Sequence, residues 1–306
     1  MSLHVRARAL DNTGPPVLLV HGLSSNARLW DGVAEHLERL GHPVAALDQR
    51  GHGRSDKPDG GYDFATLCTD LVAVERDLGW TPGSERRPLV AGQSWGGNVV
   101  LELAIRHPGS ARALALVDGG TIEMADRFAG WPAARAALSP PALDRLGARS
   151  FEAMLRRAHP DWPPAGIEGT LGNVEILADG TIAPWLSRQH HLAILAGLWE
   201  HRPSRRYPLV DVPVLVLMAG APPEWGSGVP AGPAGAEGVG AEGVGAEGVG
   251  AQMRFKVSEA RRAAEGLSSS VVWWMRGDHD LHAHHPAEVA DLLHRAADLS
   301  LFDGAR

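Results

Sequence analysis

Ser94 lies between two glycines in the run Gly92-Gln93-Ser94-Trp95-Gly96. The pattern G-x-S-x-G is typical of a sharp turn between a strand and a helix, where small neighbours leave room for a strained serine. A serine hydroxyl becomes a nucleophile when a nearby imidazole can take its proton. The pentapeptide alone is a weak signal, so the surrounding elements decide whether it predicts a nucleophile.

The elements around Ser94 meet that requirement. An apolar run at 89–91 precedes the serine and predicts a buried strand, and residues 98–107 predict the helix that follows. Further short apolar runs alternate with helical patterns, and they predict strands at 17–20, 44–47, 114–117, 214–217 and 271–275. Such alternation implies a mostly parallel sheet covered by helices on both faces. The predicted fold class is therefore α/β.

A group of histidines follows the last predicted strand, and His279 is the first of them. An imidazole is the group that most often takes the proton of a serine nucleophile. His282, His284 and His285 lie close by and raise the alternative of a metal site. No carboxylate or cysteine set completes such a site, so we expect no metal and no cofactor.

Four motifs in order make the chain resemble the α/β-hydrolase superfamily, over nearly its whole length outside two insertions. His21-Gly22-Leu23-Ser24-Ser25 resembles the family's oxyanion loop, and residues 48–56 resemble its D-x-R-G-x-G-x-S loop. The pentapeptide around Ser94 resembles the nucleophile elbow, and residues 277–286 resemble the terminal histidine loop. The resemblance implies the α/β-hydrolase fold in a cap-domain member with a serine nucleophile and with His279 as its base.

The resemblance leaves the acid of the catalytic triad open between Asp118 and Glu224. Family members usually carry an Asp after the strand that ends here near Leu217, but this chain has no Asp there and reaches only Glu224. Other members, including haloalkane dehalogenases, use an acid at the place of Asp118. The order Ser94, Asp118, His279 also keeps the expected sequence, so Asp118 is favoured, although a turn or capping role is an alternative.

The oxyanion hole implied by the resemblance uses backbone N–H groups. We expect them at Leu23 and at Trp95, the residue after the nucleophile. His21 is expected to support the loop, and Ser24 to contribute a hydroxyl, although each could equally be structural. The residues Asp48, Arg50 and His52 belong to a loop that is chiefly structural in the family.

The predicted domains are a core, a cap and a loop. The hydrolase core is expected at 1–120 and 208–306, with a helical cap at 121–207 in which no strand is predicted. Cap helices are expected around 124–138, 141–157 and 184–201. Residues 226–251 contain Ala-Glu-Gly-Val-Gly three times, and so Gly-rich a tract predicts a flexible surface loop.

The cap is expected to choose the substrate. Its charged residues are scattered, without an arginine pair for phosphate or carboxylate, so an apolar small molecule fits best. The candidate pocket residues are Ser24, Met124, Phe128, Trp131, Trp162 and Trp185.

Composition excludes several classes of partner. The net charge of −7 argues against nucleic acid and anionic membranes, and the single cysteine, Cys68, excludes an intramolecular disulfide framework. No signal-peptide pattern and no run of 18 apolar residues occurs, so the interpretation is a cytoplasmic protein without a membrane partner, a monomer or homodimer. Arginine dominates the basic residues, since Lys57 and Lys256 are the only lysines.

Two functional hypotheses follow. The first is a serine hydrolase that cleaves an ester, thioester or lactone through an acyl-enzyme, with acyl transfer, cyclisation, perhydrolysis or C–C hydrolysis as variants on the same triad. Ser94 in place of an Asp nucleophile argues against a haloalkane dehalogenase or an epoxide hydrolase. The second is a hydrolase-like scaffold that binds a small apolar ligand with little or no turnover.

Overall fold

The computed structural model describes residues 1–141, 143, 146–220 and 246–303. Within these ranges the strands are β1 (Val5–Arg8), β2 (Val17–Val20), β3 (Val44–Leu47), β4 (Leu89–Gln93), β5 (Ala113–Val117), β6 (Val174–Ile176), β7 (Ile182–Pro184), β8 (Val214–Ala219) and β9 (Ser270–Met275). The helices are α1 (Asp31–Arg39), α2 (Phe64–Asp77), α3 (Trp95–Arg106), α4 (Met124–Arg127), α5 (Trp131–Ala137), α6 (Ala148–Ala158), α7 (Pro164–Leu171), α8 (Arg188–Glu200), α9 (Ala246–Gly266), α10 (Leu281–His284) and α11 (Pro286–Ala297).

The main sheet has the order β1-β3-β2-β4-β5-β8-β9 across the described residues. All neighbouring pairs are parallel except β1 with β3, which is antiparallel. β1 was not predicted, since its alternating arginines conceal an edge strand. The predicted α/β class, with helices on both sides of a mostly parallel sheet, is confirmed.

Each central strand contributes side chains to two hydrophobic cores, one on each face of the sheet, because its side chains alternate between the faces. In β2, Leu18 and Val20 pack with α2 and α3, while Val17 and Leu19 pack with α1 and α11. The four β2 residues are fully buried. Burial on both faces explains the continuous apolar runs from which the strands were predicted.

The chain between β5 and β8 runs through α4 to α8, where the sequence predicts a cap. The expectation that this stretch has no strand is wrong, because β6 and β7 form an antiparallel hairpin with Val174 opposite Pro184. Its strands have three residues each, and only Val174 and Ile182 are buried, so no alternating pattern is long enough to be recognised.

The predicted cap helices are shorter than expected. The first is two helices, α4 and α5, because the chain is extended at Phe128 and Gly130. The second begins at Ala148 and the third at Arg188, where the Ser187 hydroxyl caps the helix by accepting from the His190 N–H. α7 was not predicted, because its prolines suggested a joint.

The predicted flexible loop is also partly wrong. The third Ala-Glu-Gly-Val-Gly repeat, 246–250, forms the first turns of α9, and residues 226–245 lie outside the described ranges. Residues 251–265 are rich in alanine, arginine and glutamate, which favour helix, so the helix extends backwards over the glycines.

No helix in the described part of the chain is both long and apolar enough to cross a membrane.

Candidate active site

Ser94 occupies a strained turn between β4 and α3. Its backbone angles are φ 53° and ψ −124°, outside the ordinary regions for a residue with a side chain. The Ser94 N–H donates to the Val117 carbonyl at 3.0 Å, and its carbonyl accepts from the Gly97 N–H at 2.9 Å. Strain of this kind persists where the surrounding structure enforces it, and it is concentrated at functional sites.

The two flanking glycines make this turn possible by their lack of a side chain. A Cβ on Gly92 would collide with the carbonyl of Gly96, and a Cβ on Gly96 would lie 2.5 Å from the carbonyl oxygen of His21. The G-x-S-x-G pattern is therefore explained by close backbone packing on both sides of Ser94.

Asp118 and His279 are brought together at the ends of β5 and β9. The Asp118 carboxylate accepts from His279 Nδ1 at 2.6 Å, and the Asp118 backbone has a left-handed φ of 42°. With Nδ1 donating, Nε2 is the acceptor of the neutral imidazole, the tautomer that a general base needs. Glu224, the alternative acid, lies outside the described residues.

Lys256 on α9 contacts the same carboxylate from the other side. Its Nζ lies 2.9 Å from Oδ1 and 2.7 Å from Oδ2 of Asp118, and it donates to the Ala219 carbonyl at 3.0 Å. The Ala219 N–H also donates to Oδ1, at 2.9 Å. The Asp118 side chain is 2% exposed and that of Lys256 11%, so this ion pair is buried.

These contacts set the ionisation of both groups. Burial favours neutral Asp118, but the charge of Lys256 and the hydrogen bond from His279 outweigh burial and hold the pKa of Asp118 well below its usual range. Burial likewise opposes the charged form of His279, but the hydrogen bond and negative charge of Asp118 outweigh it and raise the pKa of His279.

The histidine loop is fixed by residues on both sides of it. Gln93, next to Ser94, donates through Nε2 to the Asp280 carboxylate at 3.1 Å and to the His279 carbonyl at 3.3 Å. Trp162, from the predicted cap, donates through Nε1 to the Asp278 carboxylate at 2.9 Å. The turn that carries Ser94 and the predicted cap therefore both hold the loop that carries His279.

The predicted oxyanion loop lies against Ser94. A Cβ on Gly22 would lie 3.1 Å from Ser94 Cβ. Buried His21 ties the loop to its neighbours, since its Nε2 accepts from the Gln49 N–H at 3.0 Å and its Nδ1 donates to the Gly22 carbonyl at 2.7 Å. Burial lowers the pKa of His21 to about 4, so the ring is neutral.

The two predicted oxyanion donors differ in how they are placed. Trp95 is the first residue of α3, where a helix leaves its N–H groups without an intrahelical acceptor. Leu23 follows Gly22, with its side chain partly buried against the core.

Ser24 makes a contact that fits the structural alternative given for it. Its hydroxyl is 2.8 Å from Nδ1 of His191 on α8, while His191 Nε2 is 2.8 Å from the Leu138 carbonyl. A carbonyl only accepts, so Nε2 carries the proton of the neutral ring and Ser24 donates to Nδ1. Burial lowers the pKa of His191, in keeping with that assignment. The hydroxyl proton of Ser24 thus points to the predicted cap.

The remaining candidate pocket residues are spread over the insertion. Met124 is buried, Phe128 packs partly against the core, and the rings of Trp131 and Trp199 lie 6.2 Å apart. Lys57 Nζ lies 4.9 Å from the ring centroid of Trp185. These contacts are packing contacts, and a role for any of these residues toward substrate stays a prediction.

The extra histidines serve as packing groups. His282 is fully buried against Trp30, with ring centroids 4.3 Å apart, and burial lowers its pKa to about 3. The rings of His284 and His285 stack at 3.9 Å. Among the described residues no group of three His, Cys, Asp or Glu side chains is arranged to hold a metal ion.

The loop at 48–56 is held by hydrogen bonds within itself and to neighbouring elements. Asp48 accepts from the N–H groups of Ala27 and Arg54, and Arg50 forms a two-point ion pair with Asp70. His52 is buried, with its ring against Trp95. These contacts fit the structural role expected for the loop.

Sequence reasoning missed two supports of the site, Lys256 and Gln93. Lys256 carried one signal, because a chain with only two lysines places one of them in a helix that packs on the sheet. Gln93 is one of the two variable residues of the G-x-S-x-G pattern, and its contact with Asp280 spans 187 positions of sequence. Only the fold brings such residues together.

The family comparison agrees with this geometry. A family model described as alpha/beta hydrolase fold matches residues 15–161, which include β2 to β5 and the Ser94 turn. The chain belongs to the α/β-hydrolase superfamily. Among curated relatives of this α/β-hydrolase, a fluoroacetate dehalogenase from Burkholderia sp is 38% identical over 107 residues, which are 35% of this chain and 34% of the relative. The chain spans about a third of the length of the first curated relatives that it matches.

Solved structures match nearly the whole α/β-hydrolase chain. E-2-(acetamidomethylene)succinate hydrolase has a TM-score of 0.65 at 22% identity, covering 97% of this chain and 95% of that one. The thioesterase domain from the curacin biosynthetic pathway has a TM-score of 0.66 at 18% identity, covering 95% of this chain and 94% of that one. At these identities the likeness shows the fold.

Proposed function

We propose that this α/β-hydrolase is a serine hydrolase that cleaves an ester, thioester or lactone of an apolar small molecule through an acyl-enzyme. The observation that carries the proposal is the pairing of a strained Ser94 with a buried, ionised Asp118 that orients His279. An aspartate that accepts from Nδ1 leaves Nε2 of the same ring to act as base.

The proposed reaction has two halves. His279 Nε2 takes the proton of Ser94 as its oxygen bonds to the substrate carbonyl, and the backbone N–H groups of Leu23 and Trp95 stabilise the developing oxyanion. The leaving oxygen or sulfur takes the proton from His279 as its bond to carbon breaks. Water then adds to the acyl carbon with His279 again as base, which releases the acid and restores Ser94.

The choice of substrate rests on the insertion between β5 and β8. Apart from Ser24, the side chains proposed for the pocket are apolar or aromatic, which favours an apolar acyl or alcohol group over a charged metabolite. The named neighbours include a thioesterase domain and an esterase, and their activities agree with an acyl substrate.

The test is hydrolysis of p-nitrophenyl esters with graded acyl chains. We expect turnover by the wild type that Ser94→Ala and His279→Gln each lower by about 10³-fold or more, with unchanged near-UV circular dichroism. Turnover that survives in Ser94→Ala would exclude the proposed nucleophile. Tight binding of the esters with no turnover by the wild type would favour the ligand-binding scaffold.

A further inference from the structure

The Lys256 ammonium group donates all of its protons to Asp118 and to the backbone beside it. An ammonium group has three protons, and Nζ has three acceptors within 3.0 Å: both oxygens of Asp118 and the Ala219 carbonyl. The cation therefore has no proton left to offer to a substrate, and any action on the chemistry must pass through Asp118.

Asp118 is equally saturated. Oδ1 accepts from Lys256 and from the Ala219 N–H, while Oδ2 accepts from Lys256 and His279. A carboxylate has about four lone-pair sites, so these donors fix both its ionisation and its rotation. The oxygen that orients His279 is thus held in place by Lys256.

We propose that Lys256 is a positioning residue of the site, which keeps Asp118 ionised and oriented and limits how strongly Asp118 holds a proton on His279. This inference rests on the proposed function of Ser94, Asp118 and His279. The second effect is electrostatic, since a cation beside Asp118 cancels part of the negative charge that favours the imidazolium ring. Without Lys256, the pair of Asp118 and His279 would bind a proton more tightly.

The other ionisable groups around the pair leave this prediction unchanged. Asp280 favours a charged His279, whereas buried His282 interacts with it as a neutral ring. Glu259, one turn beyond Lys256 on α9, experiences the negative charge of Asp118 but is held in its own buried ion pair with Arg127 at 2.7 Å. Within the described part of the chain, the charged groups that act on His279 are the cation Lys256 and the anions Asp118 and Asp280.

The ion pair between Arg127 and Glu259 supplies a matched control. It ties the same helix to the start of the insertion, and Glu259 is 1% exposed. Removing Arg127 therefore breaks a buried ion pair of α9 while leaving the cation at Asp118 in place.

The experiment is a titration of the full-length protein by ¹⁵N-histidine NMR, with the His279 signal assigned by its loss in His279→Gln. In Lys256→Met we expect the pKa of His279 to rise by about one unit, and in Arg127→Met to stay at its wild-type value. Near-UV circular dichroism checks folding at each pH. Should Lys256→Met unfold, Lys256→Gln removes the charge while retaining a donor.

An unchanged His279 titration in a folded, uncharged Lys256 variant would overturn the proposal and leave Lys256 as a helix anchor. A parallel readout is the rate at which a fluorophosphonate labels Ser94 as a function of pH, whose acidic limb should move upward by the same amount in Lys256→Met. Failure of the wild type to label would contradict the proposed function, whereas the NMR shift would still decide the role of Lys256.

Discussion

Asp118 is the residue whose loss should matter most after that of Ser94 and His279. In Asp118→Asn the ring of His279 loses the acceptor that fixes its tautomer, and Lys256 becomes a buried charge without its carboxylate. We expect kcat/KM toward a p-nitrophenyl ester to fall by about 10⁴-fold. Glu224→Gln is the control and should stay near the wild-type value; the opposite pattern would move the acid to Glu224.

The buried carboxyl group of Glu75 makes the free energy of unfolding depend on pH. Its side chain on α2 is fully buried, its carboxylate oxygens have no hydrogen-bond partner among the described residues, and burial raises its pKa from 4.5 to about 8. Between these values the folded protein keeps a proton that the unfolded chain releases. The stabilisation is therefore complete below pH 4.5 and is lost as pH rises towards 8, at up to about 1.4 kcal/mol per pH unit.

The measurement is the free energy of unfolding in urea between pH 5 and 8. Relative to the wild type, Glu75→Gln should gain stability steadily as pH rises from 5 to 8 and be the more stable protein at pH 8, because its amide cannot ionise. Asp77→Asn, at an exposed position of the same helix, should keep the wild-type slope. A slope that is the same in Glu75→Gln and the wild type would show that Glu75 does not titrate in this range.

At the level of elements, the contact between the insertion and the histidine loop is open to a single substitution. Trp162→Phe keeps an aromatic ring at this position but removes the indole N–H that donates to the Asp278 carboxylate. Hydrogen bonds to charged groups contribute about 1.5–3 kcal/mol, so we expect the free energy of unfolding to fall by that order. Because the loop that carries His279 is then held less firmly, we also expect kcat to fall roughly tenfold. Trp131→Phe, whose ring packs near Trp199, is the control for loss of an indole. Equal effects of the two substitutions would show that the hydrogen bond does not support the loop.

The elements differ in how well the sequence predicts them, and the reason is burial. The strands β2, β3, β4, β5 and β8 are buried along their length, so each reads as a continuous apolar run. The hairpin of β6 and β7 is short and mostly exposed and leaves no such pattern. In α9 the glycines of the repeat suggest a loop, although the helix formers that follow carry the helix through them.

The site was predictable to the extent that local sequence encodes it. Ser94 and its glycines could be recognised because one turn needs all of them, whereas His279 and Asp118 were proposed from the family resemblance, with Glu224 as the alternative acid. Lys256 reaches the site from 138 positions beyond Asp118, and no local pattern records that contact. It depends on where α9 packs against the end of β8.

At the scale of the whole molecule, the repeats can be tested by deletion. Low-complexity glycine-rich sequence buries little apolar surface. Removing 226–245 should therefore leave the unfolding midpoint unchanged and esterase turnover within about twofold of the wild type. Removing 226–251 also takes away the first turns of the helix that carries Lys256, and we expect that deletion to lower turnover. Loss of folding and activity in the shorter deletion would contradict a dispensable role for the repeats.

The measurement that tests the central claim most directly is the intact mass of the protein after incubation with a small fluorophosphonate. If Ser94 is a nucleophile activated by His279, the wild type gains one adduct, Ser94→Ala gains none, and His279→Gln reacts far more slowly. Probes of several sizes are used so that restricted access to Ser94 is not mistaken for lack of reactivity. Absence of an adduct from folded wild-type protein with every probe would contradict the claim and would favour a scaffold that binds its ligand without turnover.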